Sequence, residues 1–170
     1  SVVNTVVATE ATSKEVSQII LFIIPICLIV LAITTTSWFE PILFMLTIGV
    51  AIMLNQGTNL LFGEISFVTN AAGNVLQLAV SMDYAIFLLH KFTEFRLQGL
   101  EPEEAMVQAS VKSVGSIFSS GITTVIGFAA LILMRFKIGP DMGIVMAKAI
   151  ALSLVTVIIL LPVLTMYCYK

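Results

Sequence analysis

Charge is what this chain has least of: Asp, Glu, Lys and Arg together make up 11% of its 170 residues, while 59% are hydrophobic. A soluble domain carries about 25% charged residues, so water is excluded as the main solvent and the lipid bilayer takes its place. Basic residues are too few and too dispersed to track a phosphate backbone. Lys91, Arg96 and Lys112 form no stripe and the net charge is -2, which excludes nucleic acid as a partner. Only two cysteines occur, Cys27 within an apolar run and Cys168 near the C-terminus. Their spacing suggests neither a disulfide framework nor a metal site, and no cofactor motif stands in for one. No internal repeat and no low-complexity tract is visible. Ser1 to Gln18 has neither a basic start nor a short apolar core, so it does not read as a signal peptide, and the expectation is a piece of a longer protein.

What the chain does have is long apolar runs. A membrane helix needs about 20 mostly apolar residues to cross a hydrocarbon core about 30 Å thick, and on that template the sequence predicts an all-α, polytopic membrane bundle of five transmembrane helices over 19–170. The spans are read at about 19–36, 38–61, 66–92, 105–134 and 140–167, with 1–18 as an extracytoplasmic lead-in. An odd number puts the termini on opposite sides. Pro41 and Pro102 suit the first turn of a helix, Trp38, Tyr167 and Tyr169 suit a membrane interface, and Gly63-Glu64 reads as a turn. Asn55, Gln56 and Gly57 either end the second span or interrupt its outer part, and Pro162 is expected to break the fifth. Charge gives little orientation, since Lys91, Arg96, Lys112 and Lys170 fall on one side and Lys14, Arg135 and Lys137 on the other.

The third span carries Asp83 in the run Leu78-Ala79-Val80-Ser81-Met82-Asp83-Tyr84-Ala85-Ile86. A charge at the centre of a membrane helix costs from about 2.5 to more than 10 kcal/mol, so such groups usually face a bundle interior and serve ion or proton pathways. At about 100° per residue, Asn70, Asn74, Gln77 and Ser81 form one stripe of that helix, while Asp83, Ala79 and His90 lie roughly opposite. Polar groups on both faces need partners, so the third span is expected to be central, with protein on two sides. A carboxylate taken out of water holds its proton to higher pH, which is what a proton carrier needs. Tyr84 diverges from Asp83 by about 100° around the helix and is expected to meet a partner elsewhere. Accessory relay candidates are His90, two turns on along nearly the same face, and Lys148, the cation well inside the fifth span. Lys148 and Asp83 come out at different depths when rise is counted from each helix start, so snorkelling competes with pairing. In the fourth span Ser110, Ser113, Ser116, Ser119, Ser120, Thr123, Thr124 and Gly127 read either as tight helix packing or, for Ser120, Thr123 and Thr124, as the lining of a hydrated path beside Asp83.

Asp83-Tyr84 with Ala85 to Phe92, then Thr123-Thr124-Val125-Ile126-Gly127-Phe128, then Gly139-Pro140-Asp141-Met142-Gly143, then Leu161-Pro162-Val163-Leu164, in this order and spacing, resembles the MMPL branch of the resistance-nodulation-division (RND) transporter superfamily. The resemblance runs from about Trp38 onward and corresponds to the second through sixth transmembrane helices of one transporter half. It implies that Asp83 and Tyr84 are the proton relay, meeting a counterpart from a second half. It also implies an extracytoplasmic N-terminus, a cytoplasmic Lys170 and a proton-motive-force-driven exporter of lipids or other hydrophobic compounds in the bacterial cell membrane. The first helix, the porter domains and the second half have no counterpart here, and transport needs two halves. Ala79 stands where the family commonly has glycine, which keeps a small residue one turn before the aspartate.

Two other classes compete. A sterol-sensing-type five-helix module shares the architecture and binds lipid to regulate a partner, but such a sensor has no use for a titrating carboxylate. An intramembrane aspartyl protease requires two facing aspartates, and Asp141 falls at a helix start near the surface, so no enzyme is expected.

Overall fold

The structure, a computed structural model, describes residues 2–34, 38–63, 65–136 and 138–169. Among the described residues five α-helices carry the chain and no strand occurs: α1 Val2–Thr34, α2 Glu40–Asn59, α3 Phe67–Leu97, α4 Pro102–Ala130 and α5 Ile138–Cys168, with single 3-10 turns at Leu60–Phe62 and Leu131–Leu133. All five are long and apolar enough to cross a membrane. A helix of 31 residues is about 46 Å long at about 1.5 Å per residue, so α3 and α5 pass beyond the hydrocarbon into both headgroup regions.

The helix ends follow the local chemistry. Pro41 and Pro102 occupy first-turn positions where a missing N–H costs nothing, and Glu40, Glu103 and Glu104 put negative charge at positive helix N-termini. At the C-terminus of α3, Gly99 takes φ +89°. Its N–H donates to Arg96 O at 3.0 Å and that of Leu100 to Phe95 O at 3.4 Å, the paired bonds that close a Schellman turn and need a residue free to enter the left-handed region. Arg96 Nη1 donates to Leu100 O at 2.6 Å and holds the turn shut.

Three boundaries differ from the sequence reading. The apolar window of the first span is Ser17–Thr34, but α1 begins at Val2, so the lead-in described from residue 2 is helical and continuous with the span. Asn55, Gln56 and Gly57 do not end α2, which continues to Asn59, because Asn55 and Asn59 are turned inward rather than to lipid. Pro162 does not break α5, which runs on to Cys168. A proline removes one helix hydrogen bond, and in a packed membrane helix neighbouring groups absorb the loss.

In the bundle, α5 packs against α2, α3 and α4, and α3 touches all four other helices. Phe44, Leu88, Leu89, Phe92, Ile150 and Leu161 are fully buried between them. Small residues set the closest approaches: a side chain at Gly143 would meet the backbone oxygen of Phe128 at 2.7 Å, and one at Gly121 would meet Leu154 Cδ1 at 2.0 Å. By contrast, among the described residues α1 packs mainly on α2 and α3 and places Leu31 alone in the buried core.

Candidate functional site: a carboxylate on an open helix face

The two polar stripes of α3 meet different surroundings. Gln77 and Ser81 are 0% exposed, whereas Ala79, Asp83, Phe87, His90 and Glu94 follow one another along an exposed stripe. Within this chain Asp83 faces outward, at the middle of a membrane-length helix, so the described residues do not supply the cover expected over its side chain. Tyr84, about 100° around the helix, is 5% exposed and belongs to the core cluster with Leu88 and Phe92.

One contact and one shared groove indicate the register of α3 against α4. Lys112 Nζ lies 5.2 Å from the Phe95 ring centroid, and towards the other end Ala79 and Phe128 line a common apolar groove of about 550 Å³ with Val75, Leu76 and Ile19. Antiparallel helices held at those points put Thr124 level with Asp83, with Ser120 and Thr123 within about one turn of it. Ser120 and Thr123 are exposed and Thr124 half-buried. The Thr123 hydroxyl donates to Ser119 O at 2.9 Å and that of Thr124 to Ser120 O at 3.0 Å. Their protons are thus spent within α4, and the lone pairs left over can accept a bond from a protonated carboxyl or from water.

The buried side of α3 forms an amide ladder with α2. Gln77 Nε2 donates to Ala51 O at 3.0 Å, and two turns along Asn59 Nδ2 donates to Asn70 Oδ1 at 3.2 Å. Between those rungs lie Asn55, 0% exposed, and Asn74. From α5, Lys148 Nζ donates to Asn55 O at 3.3 Å and to Asn59 Oδ1. The structure therefore does not bring Lys148 to Asp83: the ammonium is held on the buried side of α3 and the carboxylate stands on the exposed side. Among the described residues, then, the accessory role expected of Lys148 has no direct contact with the carboxylate behind it.

Two acids have contacts that the sequence did not show. Asp141 Oδ2 accepts the N–H of Ser66 at 3.3 Å, tying the start of α5 to the start of α3. The Gly-Pro-Asp run is thus a structural corner. A Cβ at Gly139 would lie 2.7 Å from that of Met134, Pro140 sits in the first turn of α5, and Asp141 holds the neighbouring helix. Glu40 is 2% exposed and accepts from Tyr169 Oη at 3.4 Å. It shares a cavity of about 70 Å³ with His90 and Thr93 of α3. Its place before Pro41 suggested only a helix start; a partner 129 positions further on leaves no local signal. Among the described residues no group of His, Cys, Asp and Glu could hold a metal ion.

Comparison with known proteins gives a consistent picture. The sequence profile of the MMPL family matches residues 3–168. A protein of Methanocaldococcus jannaschii named as a membrane protein is 30% identical over 138 residues, which is 81% of this chain and 35% of that relative. MmpL12 of Mycobacterium tuberculosis, named as a transport protein, is 26% identical over 159 residues, 91% of this chain and 14% of its own length. The membrane protein YdfJ of Bacillus subtilis is 26% identical over 139 residues, 79% of this chain and 19% of its own. The chain thus spans about a third or less of these relatives. No solved structure matches.

Proposed function

Because the chain belongs to the MMPL family, we propose that it is the transmembrane part of one half of a proton-motive-force-driven exporter in the bacterial cell membrane, with Asp83 as the proton carrier and Tyr84 as its buried neighbour. The observation that carries this reading is the position of Asp83. It is exposed on the free face of a membrane-length helix, where lipid would impose a cost of about 2.5 kcal/mol or more. A second transmembrane half laid over the stripe of Ala79, Asp83 and Phe87 removes that cost and converts a lipid-facing charge into an interior one. In such an interior a carboxylate cycles between a neutral, lipid-compatible form and a charged one, and each cycle moves one proton.

The open flank of α4 fits the same reading. Acceptor oxygens of Thr124, and of Ser120 and Thr123 a turn away, suit a protonated carboxyl and a file of water better than a permanent carboxylate, which would want donors. The name of the M. tuberculosis relative, a transport protein, supports export as the overall activity, and the substrate class proposed is a lipid or other hydrophobic compound. The opposed aspartates of a protease are not what the geometry suggests, since Asp141 is committed to Ser66 at the far end of α3.

Asp83→Asn in the full-length protein tests the reading. It keeps the size and polarity of the side chain but cannot load a proton, so proton-driven transport should be abolished while membrane insertion is unchanged. Wild-type transport by this variant would overturn the proposal.

A further inference from the structure

The buried carboxylate of Glu40 has no part in the reading so far, and its surroundings suit a proton group better than a structural one. It is 2% exposed and accepts a long hydrogen bond from Tyr169 Oη at 3.4 Å. Burial of a carboxylate with so little donor support disfavours the charge, while the N-terminus of α2, where Glu40 is the first helical residue, favours it. Among the described residues, the polar and titratable groups around it come from three helices. From α3 come His90 and Thr93, which line its cavity. From the end of α5 comes Tyr169, and from α1 comes Thr34, whose hydroxyl is spent on Val30 O at 2.8 Å. The charged pair next along α3, Lys91 and Glu94, is closed on itself at 2.7 Å. The cavity, about 70 Å³, is large enough to hold water.

His90 connects this pocket to Asp83. It lines the Glu40 cavity and also stands on the exposed stripe of Asp83, about 10.5 Å along the helix from it at about 1.5 Å per residue. We infer that Glu40 is a second proton station, placed where α2 begins and α3 ends, which exchanges protons with Asp83 through His90 and the cavity water. This rests on the reading of Asp83 as proton carrier. In the transfer the O–H bond of the Asp83 carboxyl breaks and its proton passes through water to one imidazole nitrogen. The other imidazole nitrogen releases a proton, through cavity water, to a Glu40 oxygen. One proton is lost at Asp83 and one gained at Glu40, and the histidine returns to its neutral form.

Infrared difference spectroscopy of the carboxyl stretch, on the full-length protein in liposomes between pH 5 and 9, tests this with Glu40→Gln, Glu40→Asp, His90→Gln and Asp83→Asn. The wild type should show two titrating carboxyl bands, one lost in Glu40→Gln and restored in Glu40→Asp, the other lost in Asp83→Asn. His90→Gln, which removes the titratable group lining the cavity, should displace the pH midpoint of the Glu40 band measurably, since a nearby charge moves a carboxyl by about one unit or more. A spectrum in which Glu40→Gln removes no titrating band overturns the inference, and so does a Glu40 band that His90→Gln leaves in place. If Asp83→Asn removes no band while Glu40→Gln does, the Asp83 reading itself has failed and the hand-off with it, a pattern distinct from failure of Glu40 alone.

Discussion

On α3, an acid and the neighbours of a base are sorted by about half a turn of helix. Asp83 is turned out, while Gln77, Asn74 and Asn70 are turned towards α2 and the ammonium of Lys148. The amide ladder is structural by its geometry, since its rungs join backbone and side chains of two helices and the lysine supplies donors to it. Lys148→Met keeps the length of the side chain and removes those donors. The expected loss is about 1–3 kcal/mol for acceptors left buried without them, read as a lower thermal midpoint of the full-length protein in detergent, with the carboxyl titration of Asp83 unmoved. A variant that retained its stability but lost the Asp83 titration would return Lys148 to the relay. What was legible at this scale was the oddity of single residues. Asp83 stood out because hydrophobic neighbours make a carboxylate conspicuous. Glu40 did not, because an acid before proline is what any helix start looks like, and its burial arises from Tyr169 and the end of α3.

Helices here are held by close approach more than by polar contact. Gly121 and Gly143 show two kinds of contact that differ in what can yield. The atoms nearest a methyl at Gly121 all belong to the side chain of Leu154, with Cδ1 at 2.0 Å and Cγ at 2.7 Å. Gly121→Ala should cost about 1–3 kcal/mol as an overpacked site, and Leu154→Ala in the same protein should recover part of it, a coupling that a double-mutant cycle of thermal midpoints measures. At Gly143 the obstacle is backbone, with Phe128 O at 2.7 Å and Ile132 N at 3.1 Å. Gly143→Ala must part α5 from the end of α4, so it should cost more than Gly121→Ala and resist rescue by trimming Ile132. Element number and type followed from apolar run length alone. Boundaries did not, and for physical reasons. A proline such as Pro162 signals a break only where nothing else satisfies the freed carbonyl, and Asn55 signals an end only where the helix faces lipid.

Across the whole molecule the bundle is lopsided. α5 and the inner side of α3 are deeply packed, α1 is lightly held, and the stripe of Ala79, Asp83 and Phe87 is left bare. A complete membrane protein would not leave a carboxylate there, and the chain spans only 35% or less of the relatives described. Under the proposed function this stripe is an inner surface, covered by a second transmembrane half. A pair of neighbouring residues tests it, because Phe87 is 40% exposed and Leu88 only 1%. With a spin label at Phe87→Cys or Leu88→Cys in the full-length protein in bilayers, collision with dissolved oxygen reports contact with lipid. The label at position 87 should be as shielded from oxygen as the one at 88. A label at 87 that collides with oxygen as freely as one in the surrounding lipid would show that the stripe faces lipid and not a second half.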